Sequence, residues 1–497
     1  MTEPLEPLRA LADRIRSPLV TFLQRQRWYG AKGRTIQCLD IDIHFVLGNL
    51  PGPTLFAVPR LRYTDGQQER YAVPLTAVPE HRAALDPRHI VANVALDGAR
   101  YVVCDALALP SVRAFLLELV RNGGEILGSA GTLRGFTTRR GAEALAGVDA
   151  EQSTYAALEQ SNSALLYPGV FLKLFRRVVE GPNPDLELTC YLTDIAGFAY
   201  VPPAYGGLEL VPAGGGEPWS VALVQEAVAV EQDAWTHLLE LLRRSSPAAG
   251  TEALGFIDAV AVLTARLHRA LGQAAVEPFA AVACRSEDVR RLVEHVRREC
   301  HETLRRLRHA RDHLEPATRN LADELLETAD RLLASLDALD RFHHIAASLV
   351  RIHGDYHLGQ VLVGRDRALY VVDFEGEPAR SLAERRSKEL VVKDVAGMLR
   401  SIDYAAQAVA CDDPHRAPEL QQWALTAQER FWRTYRYTLG PGRLLPADEA
   451  QARALLTAYV LQKACYELRY ELDNRPEWVR IALAGLNRIS KMRSPLS

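Results

Sequence analysis

Segment 351–376 restricts the fold of this 497-residue chain more than any other part of the sequence. Two short apolar runs, 361–363 and 369–372, are separated by a glycine-containing turn, which is typical of a β-hairpin. Asp355 and Gln360 precede the first run, and Asp373 directly follows the second. The sequence therefore predicts a rigid hairpin with polar groups at its ends.

Asp355, Gln360 and Asp373 together suit phosphoryl transfer to a hydroxyl group. One carboxylate would orient the nucleophile and accept its proton, while a carboxylate and an amide oxygen would hold Mg²⁺ on the nucleotide phosphates. In protein kinases the catalytic Asp and the metal-binding Asn are five residues apart, and Asp355 and Gln360 have the same spacing. We predict Asp355 as the catalytic residue, and Gln360 and Asp373 as metal ligands.

Two other interpretations of this segment are open. The first is a zinc site in which His353 and His357 would be ligands, although no third ligand of recognisable spacing accompanies them. An ordinary hairpin with polar tips is the other interpretation. Burying two carboxylates at the ends of apolar strands costs free energy unless the carboxylates have partners or a function. This cost favours the interpretation as a phosphoryl-transfer site.

A strand lysine and a helix start lie upstream, in the order that the same chemistry requires. Lys173 is in the middle of the β-type run 169–175. Segment 183–187 reads Asn-Pro-Asp-Leu-Glu, which predicts an N-cap, a proline in the first turn and acids after it. In kinases a strand lysine holds the nucleotide phosphates and a helix glutamate positions that lysine, so we assign these roles to Lys173 and Glu187.

The rest of the nucleotide site has a weaker sequence signal. No Gly-rich phosphate loop precedes Lys173, and the turn 159–163 lies in its place. Backbone N–H groups and hydroxyls of such a turn can bind phosphate oxygens. The apolar run 221–224 and the residues after it have the position in the sequence of the segment that joins the two lobes of a kinase. In a kinase this hinge segment contacts the adenine of the nucleotide. The nucleotide-binding residues predicted here are Ser161, Asn162, Ser163, Gln225 and Val228.

Charge and cysteine content exclude several classes of protein. The chain has 59 Lys and Arg against 62 Asp and Glu, so its net charge of -3 gives no overall attraction to nucleic acid or anionic lipid. The seven cysteines are odd in number and scattered, as in a reducing cytosol. The N-terminal segment has charges throughout and lacks an apolar signal core. We expect a cytoplasmic protein that binds neither nucleic acid nor a membrane.

Changes in periodicity predict an α+β protein in three parts. Residues 1–97 combine a helical start with short strands and form an N-terminal unit. Residues 98–228 alternate between strand and helix and would bind the nucleotide. Residues 229–497 are mainly helical and contain the hairpin with Asp355.

Local signals predict several elements within these parts. An amphipathic helix is expected over 8–16 and 20–26, and a hairpin over 61–73 around its Asp-Gly turn. Segment 27–34, Arg-Trp-Tyr-Gly-Ala-Lys-Gly-Arg, is interpreted as a turn held by aromatic packing. Long helices of the C-terminal part are predicted over 235–244, 255–270, 287–313 and 316–339.

Several of these segments resemble the maltokinase family, a branch of the aminoglycoside-phosphotransferase-like kinases. The matching segments are 27–34, 183–187, 353–360, 373–380, 383–386 and 394–401. The resemblance implies a bilobal protein-kinase-like fold with an N-terminal cap, a nucleotide-binding intermediate subdomain and a helical sugar-binding lobe. It also implies ATP- and Mg²⁺-dependent phosphorylation of maltose at its anomeric hydroxyl, giving maltose 1-phosphate for α-glucan synthesis. Association with enzymes of trehalose and α-glucan metabolism would accompany that role.

A helix near the C-terminus is expected to bind the sugar. Segment 461–475 has one apolar face and ends before Pro476, and the aromatic and charged residues of another face suit a sugar ring with its hydroxyls. Periodicity alone fits a solvated face equally well, and the resemblance favours the sugar site. Gln462 departs from the family, whose members often have an acidic residue there. The residues predicted to contact the sugar are His357, Lys463, Tyr466, Glu467 and Tyr470.

Two alternative functions are open on the sequence. A kinase for glucosamine or another amino sugar would use the same chemistry, with Glu467 and Glu471 available to a sugar ammonium group. A catalytically silent nucleotide-binding scaffold for other carbohydrate enzymes is the second alternative. A scaffold has no need to keep all five residues of the predicted kinase chemistry, which are Lys173, Glu187, Asp355, Gln360 and Asp373.

Overall fold

The structure is a computed structural model that describes residues 5–82, 85–96, 98–156, 161–340, 342 and 345–491. Its contacts divide the chain into two compact units, Met1–Val228 and Ala229–Ser497, each described here by itself. Helices and strands both contribute to the fold, which agrees with the α+β class predicted from the sequence.

The first unit combines strands with a few helices. Its helices are α1 (Leu5–Arg25), α2 (Pro110–Arg121), α3 (Arg139–Ala144) and α4 (Pro184–Asp194). Its strands are β1 (Ile36–Asp40), β2 (His44–Leu47), β3 (Thr54–Ala57), β4 (Arg60–Tyr63), β5 (Gln68–Tyr71), β6 (Val73–Pro79), β7 (Ile90–Leu96), β8 (Ala99–Asp105), β9 (Glu125–Leu127), β10 (Gly131–Thr137), β11 (Thr154–Ala156), β12 (Ser163–Tyr167), β13 (Val170–Leu174), β14 (Arg177–Val178), β15 (Ala204–Pro212) and β16 (Trp219–Glu226).

Three antiparallel sheets organise this unit. The first two have the orders β1-β4-β5-β14 and β2-β3-β6-β8-β7, and all of their strands except β14 come from residues 36–105. The predicted hairpin is β4 and β5, and Gly66 supplies the positive φ of 81° that its turn requires. The third sheet has the order β11-β12-β13-β16-β15-β10-β9 and places the strand of Lys173 near its centre.

Helix α1 is longer than the sequence indicated. The pattern predicted helical residues over 8–16 and 20–26, whereas the structure has one helix that continues through Pro18. Leu19, Phe22 and Leu23 are fully buried in the N-terminal core, and this packing holds the helix together despite the proline. The aromatic interpretation of segment 27–34 is confirmed, because Trp28 and Tyr29 are buried and both rings lie beside Tyr71.

Arg176 joins the N-terminal sheets to the strand of Lys173. Its side chain is fully buried and donates to the Ala72 carbonyl at 3.0 Å and the Asp105 carboxylate at 2.5 Å. It also donates to the Ser163 hydroxyl at 2.7 Å, and its guanidinium lies 4.5 Å from the centre of the Trp28 ring. A buried guanidinium with this set of partners ties the two parts of the unit together.

The second unit is mainly helical. Its strands are β17 (Val230–Asp233), β18 (Val282–Ala283), β19 (Ser348–Leu349), β20 (Val361–Gly364) and β21 (Leu369–Val371). Its helices are α5 (Ala234–Arg243), α6 (Pro247–Gly272), α7 (Ser286–Ala310), α8 (Pro316–Glu327), α9 (Ala329–Ala334), α10 (Asp337–Asp340), α11 (Leu382–Arg385), α12 (Val392–Asp412), α13 (Ala417–Leu439), α14 (Glu449–Asn474) and α15 (Val479–Lys491).

The second unit also contains a small sheet. Strands β17, β20 and β21 form the three-stranded antiparallel sheet that contains the predicted hairpin. The single helix predicted over 316–339 is instead three short helices, α8 to α10, which first separate at Thr328. The Thr328 hydroxyl donates to the Glu324 carbonyl, a bond within the helix that competes with regular continuation.

One helix of the described residues, α6, is long and apolar enough to cross a membrane by length and composition. Of its most apolar window, 44% is buried inside the protein, and core helices of soluble proteins pass the same test. This helix is therefore weak evidence for membrane insertion.

Candidate active site

Asp394 holds the backbone of the predicted catalytic loop in place. This residue lies in the first turn of α12, is 1% exposed, and accepts hydrogen bonds from the backbone N–H groups of His353 and Gly354, each at 2.9 Å. Gly354 has a φ of 85°, which turns the chain just before Asp355. The buried carboxylate thereby fixes the direction in which the loop presents Asp355.

Two further helices support Asp394. His268 of α6 lies 3.2 Å from the Asp394 carboxylate through Nε2, and its Nδ1 lies 2.7 Å from the Tyr435 hydroxyl of α13. Burial alone would raise the pKa of Asp394, but the hydrogen bonds from His268 and Gly354 lower it below its ordinary value. A buried ionised carboxylate thus connects three helices to one loop.

Asp355 is paired with a lysine of α14. The Nζ atom of Lys463 donates to the Asp355 carboxylate at 2.9 Å and lies 3.5 Å from Glu377. Burial opposes ionisation of Asp355, but the positive charge of Lys463 outweighs it and lowers the pKa of this carboxyl. The pKa of Lys463 is raised, because Asp355 and Glu377 outweigh its own burial. Asp355 is therefore ionised at neutral pH and could accept a proton.

The hairpin brings the two predicted metal ligands together. Val361 pairs with Val371, and the backbone N–H of Val372 donates to the Gln360 carbonyl at 3.0 Å. The Gln360 side chain consequently reaches the Asp373 carboxylate, with its Nε2 atom 3.2 Å from Oδ2. Carboxylate and amide oxygens are hard donors of the kind that Mg²⁺ prefers. Gln360 and Asp373 thus fit a magnesium ion by the chemistry of their donors.

The two histidines of the loop have local structural partners. The His353 ring is buried against Phe374, with ring centres 4.8 Å apart, and its Nε2 lies 2.9 Å from the Val372 carbonyl. His357 caps the short helical turn Leu358–Gln360, where its Nδ1 accepts from the Gly359 N–H at 3.1 Å. Burial lowers the pKa of His357. Both rings shape the loop around Asp355.

A small cavity of about 40 Å³ lies beside Asp355. Helix α14 supplies one wall and the catalytic loop and the segment after it supply another. The residues that line this cavity are Glu299, Gly354, Asp355, Tyr356, Glu377, Arg380, Lys393, Gly397, Tyr459, Gln462, Lys463 and Tyr466. This volume has room for a few water molecules and is smaller than a sugar, and the wall contains Lys463 and Tyr466 from the predicted set.

The other predicted sugar residues have different surroundings. Glu467 accepts two hydrogen bonds from the buried Arg400, at 2.7 and 2.9 Å, and it does not line the cavity. Burial raises the pKa of Glu467 even against the charge of Arg400. Tyr470 is 41% exposed and stacks on Tyr466 with ring centres 6.3 Å apart. His357 is also outside the residues that line the cavity.

Lys173 has a buried carboxylate partner in the first unit. Its Nζ donates to Asp185 at 2.8 Å, and both residues are buried. Asn183 is the N-cap of α4 as predicted, with its side chain accepting from the Asp185 N–H. The structure therefore adds Asp185 as a lysine partner, one that sequence reasoning missed, while a role for Glu187 stays a prediction.

The predicted phosphate loop is described only from residue 161 onward, and Glu159 and Gln160 lie outside the described residues. Ser163 is buried and bonded to Arg176, so its hydroxyl already has a structural partner. Asn162 accepts from the Arg176 backbone N–H at 3.3 Å. The structure also gives the positions of the two predicted hinge residues. Gln225 lies in β16, where it pairs with Phe171 of β13, and Val228 is the last residue of the first unit.

Sequence reasoning did not assign roles to Asp394, Glu377 and Gln462. Glu377 is buried and bonded to Arg380 at 2.6 Å, which places it in the cavity wall. A signal for Asp394 was available, since an acid among the apolar residues of a helix is costly unless it is bonded. The contacts of Asp394 join residues far apart in the chain and have no local sequence pattern, whereas Glu377 bonds to Arg380 only three positions away.

Two segments of the chain match models of known protein families. Residues 22–108 match the maltokinase N-terminal cap domain. Residues 217–376 match the phosphotransferase enzyme family. The second segment includes the whole hairpin with Asp355, Gln360 and Asp373.

Comparison with individual proteins gives the same picture. The glucosamine kinase of Streptacidiphilus jiangxiensis is 29% identical over 289 residues, which are 57% of this chain and 60% of that protein. The match thus spans less than two thirds of this relative. A solved structure described as glucosamine kinase in complex with glucosamine, ADP and inorganic phosphate has 21% identity and a TM-score of 0.63, covering 94% of this chain and 97% of that one.

A second solved structure, glucosamine kinase in crystal form B, has 22% identity and a TM-score of 0.65, covering 94% and 98% of the two chains. At these identities the likeness establishes a kinase-like fold. The comparisons confirm the resemblance found in the sequence: residues 22–108 are similar to the maltokinase N-terminal cap domain and residues 217–376 to the phosphotransferase enzyme family.

Proposed function

We propose that this protein is an ATP- and Mg²⁺-dependent sugar kinase that phosphorylates maltose at its anomeric hydroxyl. The observation that supports this most directly is the ionised Asp355 at the wall of the cavity, with Lys463 on one of its oxygens. A carboxylate held in this way can accept a hydrogen bond from a sugar hydroxyl through its other oxygen. The product would be maltose 1-phosphate, made in the cytoplasm for α-glucan synthesis.

In the proposed reaction, Asp355 orients the anomeric hydroxyl and accepts its proton as the sugar oxygen bonds to the γ-phosphorus of ATP. The bond from that phosphorus to the bridging oxygen breaks, and ADP leaves with the bond's electron pair. Mg²⁺, when bound by Asp373 and Gln360, would neutralise phosphate charge. Most of the rate enhancement would come from positioning and charge stabilisation.

Residues of the first unit would bind the nucleotide in this proposal. Lys173, with Asp185 bonded to it, would neutralise phosphate oxygens, and Glu187 would help to position the lysine. Backbone and side-chain groups of Ser161, Asn162 and Ser163 would lie near the phosphates. Backbone groups around Gln225 and Val228 would meet the adenine.

Two candidate substrates have support from different comparisons. Maltose is favoured by the match of residues 22–108 to the maltokinase cap domain. Glucosamine is favoured by the name of the curated relative, which is a glucosamine kinase. Both sugars would use the same Asp355 chemistry, and an association with enzymes of trehalose and α-glucan metabolism belongs to the maltose proposal alone.

The decisive experiment measures ADP release with ATP and Mg²⁺ in the presence of maltose, glucosamine, glucose, trehalose or no sugar. We expect turnover with maltose, and we expect Asp355→Asn to lower kcat by about 10²- to 10⁴-fold, the range for loss of a general base. Nucleotide binding by the variant should change little, because Asp355 contacts the sugar in this proposal.

Each other outcome has a defined meaning. Turnover with glucosamine alone would keep the mechanism and replace the substrate. Nearly full activity in Asp355→Asn would show that the role assigned to this residue is wrong. ATP binding without turnover on any sugar would favour the silent scaffold over an enzyme.

A further inference from the structure

A second pocket, of about 430 Å³, lies in the first unit beside the aromatic turn 27–34, to which the proposed reaction gives no role. Its walls come from the end of α1 and the turn after it, from the short helical turn before β7, and from strands β11 and β12. Pockets that bind small molecules have volumes of about 300–1,000 Å³. This pocket therefore has room for a small organic ligand.

The pocket is basic, in contrast to the chain as a whole. Among the residues that the structure describes, no acidic residue lines it, and the basic residues that do so are Arg25, Arg27, Arg88 and His89. Arg88 is paired with Asp86 at 2.7 Å. Arg25 donates through Nε to a backbone carbonyl of its own helix, and its terminal nitrogens have no partner within the described ranges. The terminal nitrogens of Arg25 are thus available to an anion.

Trp28 lines the same pocket and has a buried donor without an acceptor. The residue is 6% exposed, and its indole Nε1 makes no hydrogen bond with any described residue. A buried donor that lacks an acceptor costs free energy. An acceptor bound in the pocket would offset part of this cost.

The strand residues of the pocket lie on the face of β11 and β12 that is opposite to Lys173. Lys173 pairs with Ala164 of β12, and directly paired residues share a face of a sheet. Ser163 precedes Ala164, so its side chain lies on the other face, where its hydroxyl is 3.1 Å from the Tyr155 hydroxyl. Ser163 and Tyr155 both line the pocket. A ligand beside them would therefore not contact the lysine proposed to bind ATP phosphates.

A phosphate monoester matches these features. Arginine binds phosphate oxygens through parallel N–H donors, and a site without carboxylates does not repel an anion. The volume exceeds what a phosphate group alone would fill, which leaves space for an organic body. The rings of His89 and Tyr155, with centres 5.2 Å apart, offer an apolar surface to that body.

We propose that this pocket is a second ligand site, which binds the phosphate group of a small phosphate monoester through Arg25 and Arg88. The body of the ester, a sugar or a nucleoside, would lie against Tyr155 and His89. The inference goes beyond the proposed function and does not depend on it, because it concerns binding without turnover.

Isothermal titration of the full-length protein tests the proposal. The probes are glucose 6-phosphate, AMP and inorganic phosphate, each titrated with and without a saturating non-hydrolysable ATP analogue and Mg²⁺. We expect an ester to bind in the presence of the analogue, and to bind more tightly than inorganic phosphate. The tighter of the two esters identifies the body of the ligand as a sugar or a nucleoside.

Variants of the arginines locate the bound ester. Arg25→Gln removes the cation without an acidic partner, and the Kd of the ester should rise about tenfold, with a larger rise when Arg88→Gln is added. Arg100→Gln is the matched control, because Arg100 is as exposed as Arg88, is paired with Glu80 at 3.4 Å and does not line the pocket. Its Kd should equal that of the wild type. Thermal melting identifies any variant that fails to fold, in which case Arg88→Gln alone is compared with Arg100→Gln.

Several results would overturn the inference. These are the absence of ester binding to the wild type, an unchanged Kd in the arginine variants, and inorganic phosphate that binds as tightly as the esters. Ester binding that is lost when the ATP analogue is present would place the ester in the nucleotide site and would also overturn it. None of these results depends on sugar turnover, so an inactive protein would refute the kinase proposal and leave this test intact.

Discussion

At the scale of single residues, the pair of Asp355 and Lys463 determines the charge state of the candidate base. The two residues are 108 positions apart in the sequence, and their contact depends on the packing of α14 beside the catalytic loop. Lys463 also lies 5.0 Å from the centre of the Tyr466 ring. The lysine is therefore placed to act on the proposed reaction through Asp355.

Replacing Lys463 should change how the reaction depends on pH. In Lys463→Met, Asp355 would keep its burial and lose its counter-charge, so the pKa of Asp355 should rise. Because the proposed base must be ionised, the acidic limb of the profile of kcat/KM against pH should move to higher pH. The profile is measured on wild type, Lys463→Met and Lys463→Arg, and the arginine variant should keep a limb near that of the wild type. An acidic limb that stays in place in Lys463→Met would contradict this role.

Sequence reasoning identified several residues of the candidate site through local signals. Asp355 and Gln360 stood out by spacing, and Asn183 stood out as an N-cap. The partners of Asp394 could not be predicted from local signals, because its contacts with His268 and with the catalytic loop span 126 and about 40 positions of the sequence. Contacts of this length depend on tertiary packing, which periodicity does not encode.

At the scale of elements, turns depend on local sequence signals, whereas the extent of long helices depends on tertiary packing. The hairpin of β4 and β5 was predictable, since its turn chemistry is contained in a few residues. The start of α4 was predictable for the same reason. The continuity of α1 through Pro18 and the division of the helix predicted over 316–339 were not predictable, because both depend on what the helices pack against.

Two adjacent arginines after β13, Arg176 and Arg177, allow a test of buried against exposed charge. Arg176 is fully buried on Asp105, whereas the Arg177 side chain is 52% exposed and paired with Glu69 at 3.0 Å. Arg176→Met would leave Asp105 buried without its partner and should lower the free energy of unfolding by about 3–5 kcal/mol. Arg177→Met should cost less than about 1 kcal/mol. Urea unfolding of both variants measures the difference, and equal losses would refute this account of Arg176.

At the scale of the whole molecule, the cap segment and the sheet of Lys173 are parts of one compact unit. Strand β14 follows β13 directly and pairs with β5, so the sheet β1-β4-β5-β14 contains strands from both regions. Arg176 adds buried bonds to Ala72 and Asp105 of the N-terminal region. The N-terminal region therefore contributes to the core of the unit that would bind the nucleotide.

Removal of residues 1–108 should accordingly abolish cooperative folding of the remaining first-unit sequence. Arg176 would lose two buried acceptors and the ring of Trp28, and β14 would lose its partner strand. Circular dichroism during thermal melting, with full-length protein as control, checks this expectation. A shortened chain that melts cooperatively near the temperature of the full-length protein would show that the N-terminal region is dispensable for folding.

The backbone at Asp373 points to a compromise between activity and stability. Its φ is 66°, in the left-handed region where glycine has no steric cost and other residues are uncommon. A chain selected only for a stable hairpin would have glycine at this position. The aspartate thus keeps its carboxylate beside Gln360 at a backbone cost that glycine would avoid.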